Sequence, residues 1–106
     1  MASYADQLRV LPQFHAHEEP RLKGILFGRL ENRLAHWHPD QVQLELAVKE
    51  RGTKSQRTVL ECSVAGRPTL VATSTEQDID QAAAEVRDEL WRQLDKVITK
   101  HSVQKH

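Results

Sequence analysis

The stretch "QVQLELAVKE", residues 41–50, alternates apolar and polar side chains with unusual regularity. Successive side chains of a β-strand point to opposite faces of a sheet, so one face of this segment is apolar and the other is polar. The apolar face carries Val42, Leu44, Leu46 and Val48. The pattern therefore predicts a strand with one buried face and one exposed face.

Two further strands are predicted downstream. The segment "RTVLECSV", residues 57–64, places Leu60, Cys62 and Val64 on one face, and "TLVATST", residues 69–75, is rich in strand-forming residues. The turn segments "RGTKSQ" and "AGRP" separate the three strands. Because these connections are short, we expect the three strands to be antiparallel neighbours.

A helical period lies on either side of the three strands. Within residues 17–37 leucine recurs every four positions, at Leu22, Leu26, Leu30 and Leu34. Pro39 disfavours helical geometry at His38, so this helix is expected to end there. A second apolar stripe extends from Asp78 to about His101 and consists of Ile79, Ala82, Ala83, Val86, Leu90, Leu94 and Val97. Both patterns are typical of amphipathic helices.

A short strand starting at Leu8 and interrupted by Pro12 precedes the first helix. The predicted order is thus β-α-β-β-β-α. Because each strand has one apolar face and each helix one apolar stripe, we predict an α+β fold in which both helices pack on one face of a four-stranded sheet. We expect residues 1–106 to form a single domain, with an ordered core over about 7–101 and a frayed tail at 102–106.

The composition is that of a soluble domain with no overall charge bias. Fifteen Lys and Arg residues balance fifteen Asp and Glu residues, so any electrostatic attraction for nucleic acid must be local. The single cysteine, Cys62, excludes an intramolecular disulfide and fits a reducing compartment. No apolar run approaches the roughly 18 residues of a membrane span, so the expected location is the cytoplasm, without a membrane partner.

Catalytic and metal sites are not expected. The chain has no nucleophile motif, glycine-rich phosphate loop or close acid pair, so we do not predict an enzyme or a small-molecule substrate. The pairs His15 and His17, and His36 and His38, could each supply two imidazoles to a metal. A structural zinc needs four ligands, so solvated or loop-packed histidines are the expected state.

Basic residues form three groups when they are placed on the predicted elements. The groups are Arg92, Lys96 and Lys100 on the second helix, Arg29 and Arg33 on the first helix, and Lys49, Arg51, Lys54 and Arg57 around the first hairpin. If the helices lie side by side, these groups could converge on a groove that contacts RNA phosphates.

The alternative interpretation of the helical charges is structural. In the second helix acids come first and bases last, as the helix dipole favours, and Asp88 and Arg92 are spaced for an i, i+4 ion pair. Sequence alone leaves the two interpretations open. Trp37 and Trp91 adjoin the apolar stripes and are expected to pack in the core rather than stack on bases.

The last helix resembles that of the ribosome hibernation-promoting and ribosome-associated inhibitor family, once called sigma-54 modulation proteins. Members typically have an acidic helix start, an alanine in the next turn and a Lys-Leu-x-Arg-Gln-Leu-x-Lys segment. The residues that match are Asp78, Ala82, Leu90, Arg92, Gln93, Leu94 and Lys96. Glu89 stands where that segment begins with lysine, and Asp80 stands where many members have an aromatic residue.

The resemblance extends from Leu8 to Lys100 and implies a fold like that of double-stranded-RNA-binding domains. It also implies binding to the small ribosomal subunit, in the channel for mRNA and tRNA, through Lys and Arg contacts with 16S ribosomal RNA. Translation would be blocked and idle ribosomes preserved, without a cofactor. The carboxy-terminal dimerising domain of the long members is not expected here.

Two hypotheses follow for function. The first is a ribosome-associated factor whose RNA contacts are Arg92, Lys96 and Lys100, assisted by Arg29, Arg33 and the hairpin. The second is a diverged member that keeps the fold but binds a protein partner or itself, a possibility suggested by the acids Glu85, Glu89 and Asp95 on the last helix. The sequence does not determine the oligomeric state.

Overall fold

The computed structural model describes the backbone of residues 3–103 and the side chains of residues 3–99. Four strands and two α-helices make up the fold, together with three short 3-10 turns. In chain order the main elements are β1 (Leu8–Val10), α1 (Glu19–Leu34), β2 (Val42–Lys49), β3 (Arg57–Val64), β4 (Leu70–Ser74) and α2 (Ile79–Val103). This order confirms the predicted β-α-β-β-β-α arrangement of an α+β fold.

The four strands form one sheet in the order β1-β2-β3-β4. Strand β1 pairs with β2 in parallel, while the β2–β3 and β3–β4 pairs are antiparallel. Buried residues alternate with more exposed ones along β2 and β3, so only one face of the sheet is covered. Both helices pack on that face, and Leu46 and Leu60, which face each other across β2 and β3, are fully buried beneath them.

Helix α1 begins with Pro20 in its first turn, where a missing amide hydrogen costs nothing. Its buried residues are Leu22, Leu26, Phe27, Leu30 and Leu34. The helix ends at Leu34, earlier than the predicted end at His38, and the chain continues in a tight turn. There the Trp37 amide donates to the Leu34 carbonyl, and the Tyr4 hydroxyl donates to the Trp37 carbonyl. The N-terminal segment thus holds the turn in place.

Helix α2 is the longer helix and packs on both strands β3 and β4 and on α1. Asp78 caps its start, because a carboxylate oxygen of Asp78 accepts the amide of Gln81 at 3.2 Å. The buried stripe contains Ala82, Ala83, Val86, Leu90 and Leu94, as the apolar spacing predicts. The helix extends to Val103, while residues 104–106 of the predicted tail lie outside the described residues.

Both helices begin at the same end of the sheet, beside the hairpin between β2 and β3. Strands β1, β2 and β4 all run toward that end, so the chain enters each helix from there. The hairpin turn requires positive φ at Glu50 (52°) and Gly52 (85°). Glycine adopts this conformation without a steric penalty. The helices consequently run parallel, with their C-terminal halves at the far end.

No helix within residues 3–103 is long and apolar enough to cross a membrane.

Candidate nucleic-acid interface

A ladder of ion pairs joins the two parallel helices. Arg21 lies 3.0 Å from Asp80, Arg29 lies 3.5 Å from Asp88, and Arg33 lies 3.2 Å from Asp95. In every rung an arginine of α1 faces an aspartate of α2. We call these three pairs the inter-helix ladder. Because Arg29 and Arg33 belong to it, two residues of the predicted RNA-binding set are engaged within the protein.

The indole ring of Trp91 on α2 also contacts Arg29 and Arg33 of α1. The guanidinium carbons of Arg29 and Arg33 lie 4.9 and 4.4 Å from the centre of its indole ring. At this distance the negative face of the ring attracts a cation. Trp91 and Trp37 are both partly buried against the core, as predicted. The indole of Trp91 therefore contacts arginines of α1, which hold it at the helix–helix boundary.

Arg92 is paired with Glu89 rather than with Asp88. Its Nη2 donates to Glu89 Oε1 at 2.8 Å, and this hydrogen bond lowers the pKa of Glu89. The predicted Asp88–Arg92 pair is wrong, because the Asp88 carboxylate lies 2.9 Å from Arg87 and 3.5 Å from Arg29. These two arginines, one adjacent in sequence and one across the helix boundary, occupy the Asp88 carboxylate.

The carboxylate of Glu89 also contacts the side chain of Gln93. Gln93 Nε2 lies 3.3 Å from Glu89 Oε2 and donates to the backbone carbonyl of Val71 at 2.9 Å. Val71 lies in β4, at the edge of the sheet, where a carbonyl has no neighbouring strand. Glu89 therefore connects the Arg92 guanidinium to the side chain that caps the edge of the sheet.

Lys96 is the remaining basic residue of the α2 series with a described side chain. It is exposed, and no acid lies within ion-pairing distance of it among residues 3–99. The side chain of Lys100, the third member of the predicted series, lies outside the described residues. On α2, then, Lys96 is the described cation that is free for an external anion, whereas Arg92 is already neutralised.

Arg51, in the hairpin, forms the most buried ion pair of the described residues. Its two terminal nitrogens donate to both oxygens of Glu18 at 2.9 and 2.7 Å, and Nη1 also donates to the Gln13 carbonyl at 3.0 Å. The hydrogen bonds from Arg51 lower the pKa of Glu18 to about 2 despite the opposing effect of burial. Arg51 therefore anchors the hairpin to the start of α1, so its charge is compensated inside the protein.

Three other basic residues of the hairpin lie around a solvent-open concavity of about 400 Å³. We call it the hairpin concavity, and the residues that line it are Lys49, Glu50, Lys54, Ser55, Gln56, Arg57 and Thr75. Lys49 and Arg57 are directly opposite each other on β2 and β3. Both are exposed, and their neighbours Val48 and Thr58 are buried, so they project from the sheet face that the helices leave open.

The predicted basic residues therefore lie in two separate places. Arg29, Arg33 and Arg92 are on the helices, about 15 to 20 Å beyond the helix starts at a rise of 1.5 Å per residue. Lys49 and Arg57 are at the hairpin end and on the opposite face of the sheet. The single groove expected from the sequence is not formed, because parallel helices carry their C-terminal halves away from the hairpin.

The histidine pairs and the cysteine are the other potential metal ligands that the sequence offers. The rings of His15 and His17 stack at 5.5 Å, and no group of three or more His, Cys, Asp or Glu residues suited to a metal occurs in the described part of the chain. Cys62 is fully buried, and burial raises the pKa of its thiol to about 12. The thiol is thus protonated and shielded, which makes it unreactive at neutral pH.

Two side-chain roles important for this arrangement were not predicted from the sequence, although Gln93 is among the residues that match the family segment. Gln56 is buried and bonds the backbone of Gly52 in the hairpin and of Glu76 and Gln77 just before α2, and Gln93 caps β4. Gln56 lies in the turn segment just before β3, where a buried side chain is not expected from sequence, so the sequence carried no signal for its role. Amides of this kind are recognised from their partners, which are distant in sequence.

No family model and no curated protein sequence matches this chain.

Proposed function

We propose that this protein is a non-enzymatic factor that binds the small ribosomal subunit and occupies the channel used by mRNA and tRNA. One observation supports the proposal above others: the residues that match the family pattern divide between the buried and the exposed side of α2. Ala82, Leu90 and Leu94 are buried on the side of α2 that faces the core, while Arg92 and Lys96 are exposed to solvent. The β-α-β-β-β-α fold that frames them is the fold expected of that family.

The proposed mechanism is occlusion and needs no reaction or cofactor. Cationic side chains contact phosphates of 16S ribosomal RNA, and these contacts fix position without reading sequence. The folded domain then excludes mRNA and tRNA from the decoding region. The factor acts in the cytoplasm, where occupation of the channel keeps mRNA and tRNA out of idle ribosomes.

Co-sedimentation with purified ribosomal subunits tests this function. Untagged protein is centrifuged through sucrose gradients with small or large subunits, at several salt concentrations. We expect it to migrate with the small subunit at low salt and to dissociate steeply as salt rises, because phosphate contacts release counterions. Failure to migrate with the small subunit at low salt would exclude the proposed function.

A second candidate is a protein-interaction or self-associating module with the same fold. It is favoured by the acid partners of Arg29, Arg33 and Arg92, which leave less positive charge for RNA. The variant Arg92→Glu plus Lys96→Glu separates the two candidates. Loss of subunit binding supports the ribosomal factor, whereas association in cells that survives this variant and also the removal of Lys49, Lys54 and Arg57 supports the protein-interaction module.

A further inference from the structure

We infer that the hairpin concavity, rather than the basic stripe of α2, is the principal phosphate-binding site of this protein. Its ligand is the phosphodiester backbone of RNA, and the cations that contact it are Lys49, Lys54 and Arg57. The inference rests on the proposed function for the identity of the polyanion. The site itself follows from charge, geometry and rigidity at the hairpin.

The first argument is the distribution of uncompensated charge. Among residues 3–99, Lys49, Lys54 and Arg57 have no acid within 4.0 Å, although Glu50 lines the same concavity. On the helices each predicted arginine has an acid partner at 3.5 Å or closer. A phosphate that binds a helical arginine must displace a carboxylate, whereas one that binds at the hairpin displaces only water. Lys96 is the one described cation of the predicted helical set without such a partner, so the hairpin offers three uncompensated cations where the described part of the helices offers one.

The second argument is that Lys49 and Arg57 repel each other. They are cross-strand partners in an antiparallel pair, and like charges in this position destabilise a sheet. An anion placed between them removes the repulsion and gains attraction from both. The binding energy of a phosphate thus includes relief of an unfavourable contact that exists in the free protein.

The third argument is the rigidity of the hairpin. Gln56 Oε1 accepts the Gly52 amide at 2.8 Å, while Nε2 donates to the carbonyls of Glu76 and Gln77 at 3.1 and 2.9 Å. The Glu18–Arg51 pair holds the same turn to the start of α1. Because the hairpin is fixed to both helix starts, less backbone freedom is lost when a ligand binds.

The fourth argument is the shape and chemistry of the concavity. Ser55 and Thr75 line it together with the cations, and their side chains carry hydroxyl groups, which are neutral hydrogen-bond donors. Two lysines provide point charges, and Arg57 provides a planar fork suited to phosphate oxygens. An extended polyanion can contact several of these groups through successive phosphates, which a single carboxylate cannot do.

The test compares two triple variants of the full chain that remove equal charge. The hairpin variant is Lys49→Gln, Lys54→Gln and Arg57→Gln, and the helix variant is Arg92→Gln, Lys96→Gln and Lys100→Gln. Equilibrium binding is measured with small ribosomal subunits and, separately, with a short RNA duplex, at several salt concentrations. Thermal unfolding by circular dichroism establishes that each variant is folded before binding is compared.

We expect the hairpin variant to bind at least roughly tenfold more weakly than the parent protein. The slope of log K against log salt concentration should decrease in magnitude by about two to three, as loss of three phosphate contacts requires. The helix variant should lose less affinity than the hairpin variant. A loss of affinity in the helix variant that equals or exceeds the loss in the hairpin variant overturns the inference and leaves the ribosomal function intact.

The RNA duplex distinguishes failure of the site from failure of the function. If the protein does not bind subunits but binds the duplex, and the hairpin variant loses that binding, the proposed function is excluded and the phosphate site is supported. If the protein binds neither subunits nor duplex, both are overturned.

Discussion

Glu89 and Arg92 form a hydrogen-bonded ion pair, with Arg92 Nη2 at 2.8 Å from Glu89 Oε1. The Arg92 side chain is 60% exposed, so it is accessible to an external phosphate once the carboxylate releases it. The same carboxylate lies 3.3 Å from Gln93 Nε2, which caps the edge of the sheet. Glu89 thus contacts both the exposed Arg92 and the Gln93 side chain that caps β4. Its carboxylate competes with any external anion for the Arg92 guanidinium.

Replacing Glu89 by glutamine should increase affinity for small subunits. The change removes the negative charge that neutralises Arg92 and keeps an amide that can still bond Gln93. We expect a gain of several-fold at low salt and a steeper salt dependence, by about one unit of log–log slope, if one phosphate contact is added. The measurement is equilibrium binding of labelled protein to purified subunits.

The matched control for this change is Glu31→Gln. Glu31 is an exposed acid of α1, so its replacement alters net charge equally without releasing Arg92. A similar gain in both variants would mean that overall charge, not the Glu89–Arg92 contact, governs binding.

Replacing Arg51 by methionine should destabilise the fold. The side chain of Glu18 is 7% exposed and that of Arg51 is 26% exposed, so loss of the guanidinium leaves a nearly buried carboxylate without its partner. Removing one member of a buried pair costs about 3 kcal/mol. Urea unfolding followed by circular dichroism measures the free energy of unfolding. A change below about 0.5 kcal/mol, the usual size for a surface position, would contradict a structural role for Arg51.

Stability should fall as the pH decreases from about 4.5 to about 2, in part because of Glu18. Its ordinary pKa of 4.5 is lowered to about 2 in the folded protein. A carboxyl group with a lowered pKa stabilises the fold above its unfolded pKa, and this contribution disappears as pH falls through the folded pKa. Thermal unfolding at a series of pH values measures the effect.

The variant Glu18→Gln isolates this contribution from those of Asp88 and Glu89, whose pKa values are also lowered. We expect the variant to be less stable than the parent at neutral pH and the difference to narrow toward pH 2. A difference that stays constant over this range would show that ionisation of Glu18 does not contribute.

Replacing Gln56 by alanine should destabilise the hairpin and the start of α2. The side chain is 3% exposed and satisfies the Gly52 amide and the carbonyls of Glu76 and Gln77. Leaving a buried polar group without a partner costs about 1 to 3 kcal/mol. Amide hydrogen exchange should show faster exchange at Gly52 and in the first turn of α2. Gln43→Ala, at an exposed position of β2, is the control and should leave exchange there unchanged.

The strands and helices could be predicted because their signals are local. Val42, Leu44, Leu46 and Val48 alternate in sequence, and the same alternation places them on the buried face of β2. Leu90 and Leu94 of α2 are likewise buried at the predicted spacing. Periodicity is less informative about where an element ends. Helix α1 ends at Leu34, where turn hydrogen bonds and the Tyr4–Trp37 hydrogen bond fix the chain, and not at His38, where Pro39 would have ended it.

The charge pairs could not be predicted because sequence spacing does not determine which acid reaches which base. Asp88 and Arg92 have favourable i, i+4 spacing, yet Asp88 pairs with Arg87 and with Arg29 of the other helix. Glu18 and Arg51 meet only because β1 pairs in parallel with β2. The two separate basic surfaces also depend on the relative direction of helices and hairpin, which is a property of the fold.

The most direct test of the central claim is competition for the decoding channel. Labelled protein is titrated against small subunits that are either empty or loaded with mRNA and tRNA, at one low salt concentration. Occupation of the channel predicts tight binding to empty subunits and strongly reduced binding to loaded ones. Equal binding to both, or no binding to empty subunits, would contradict the account.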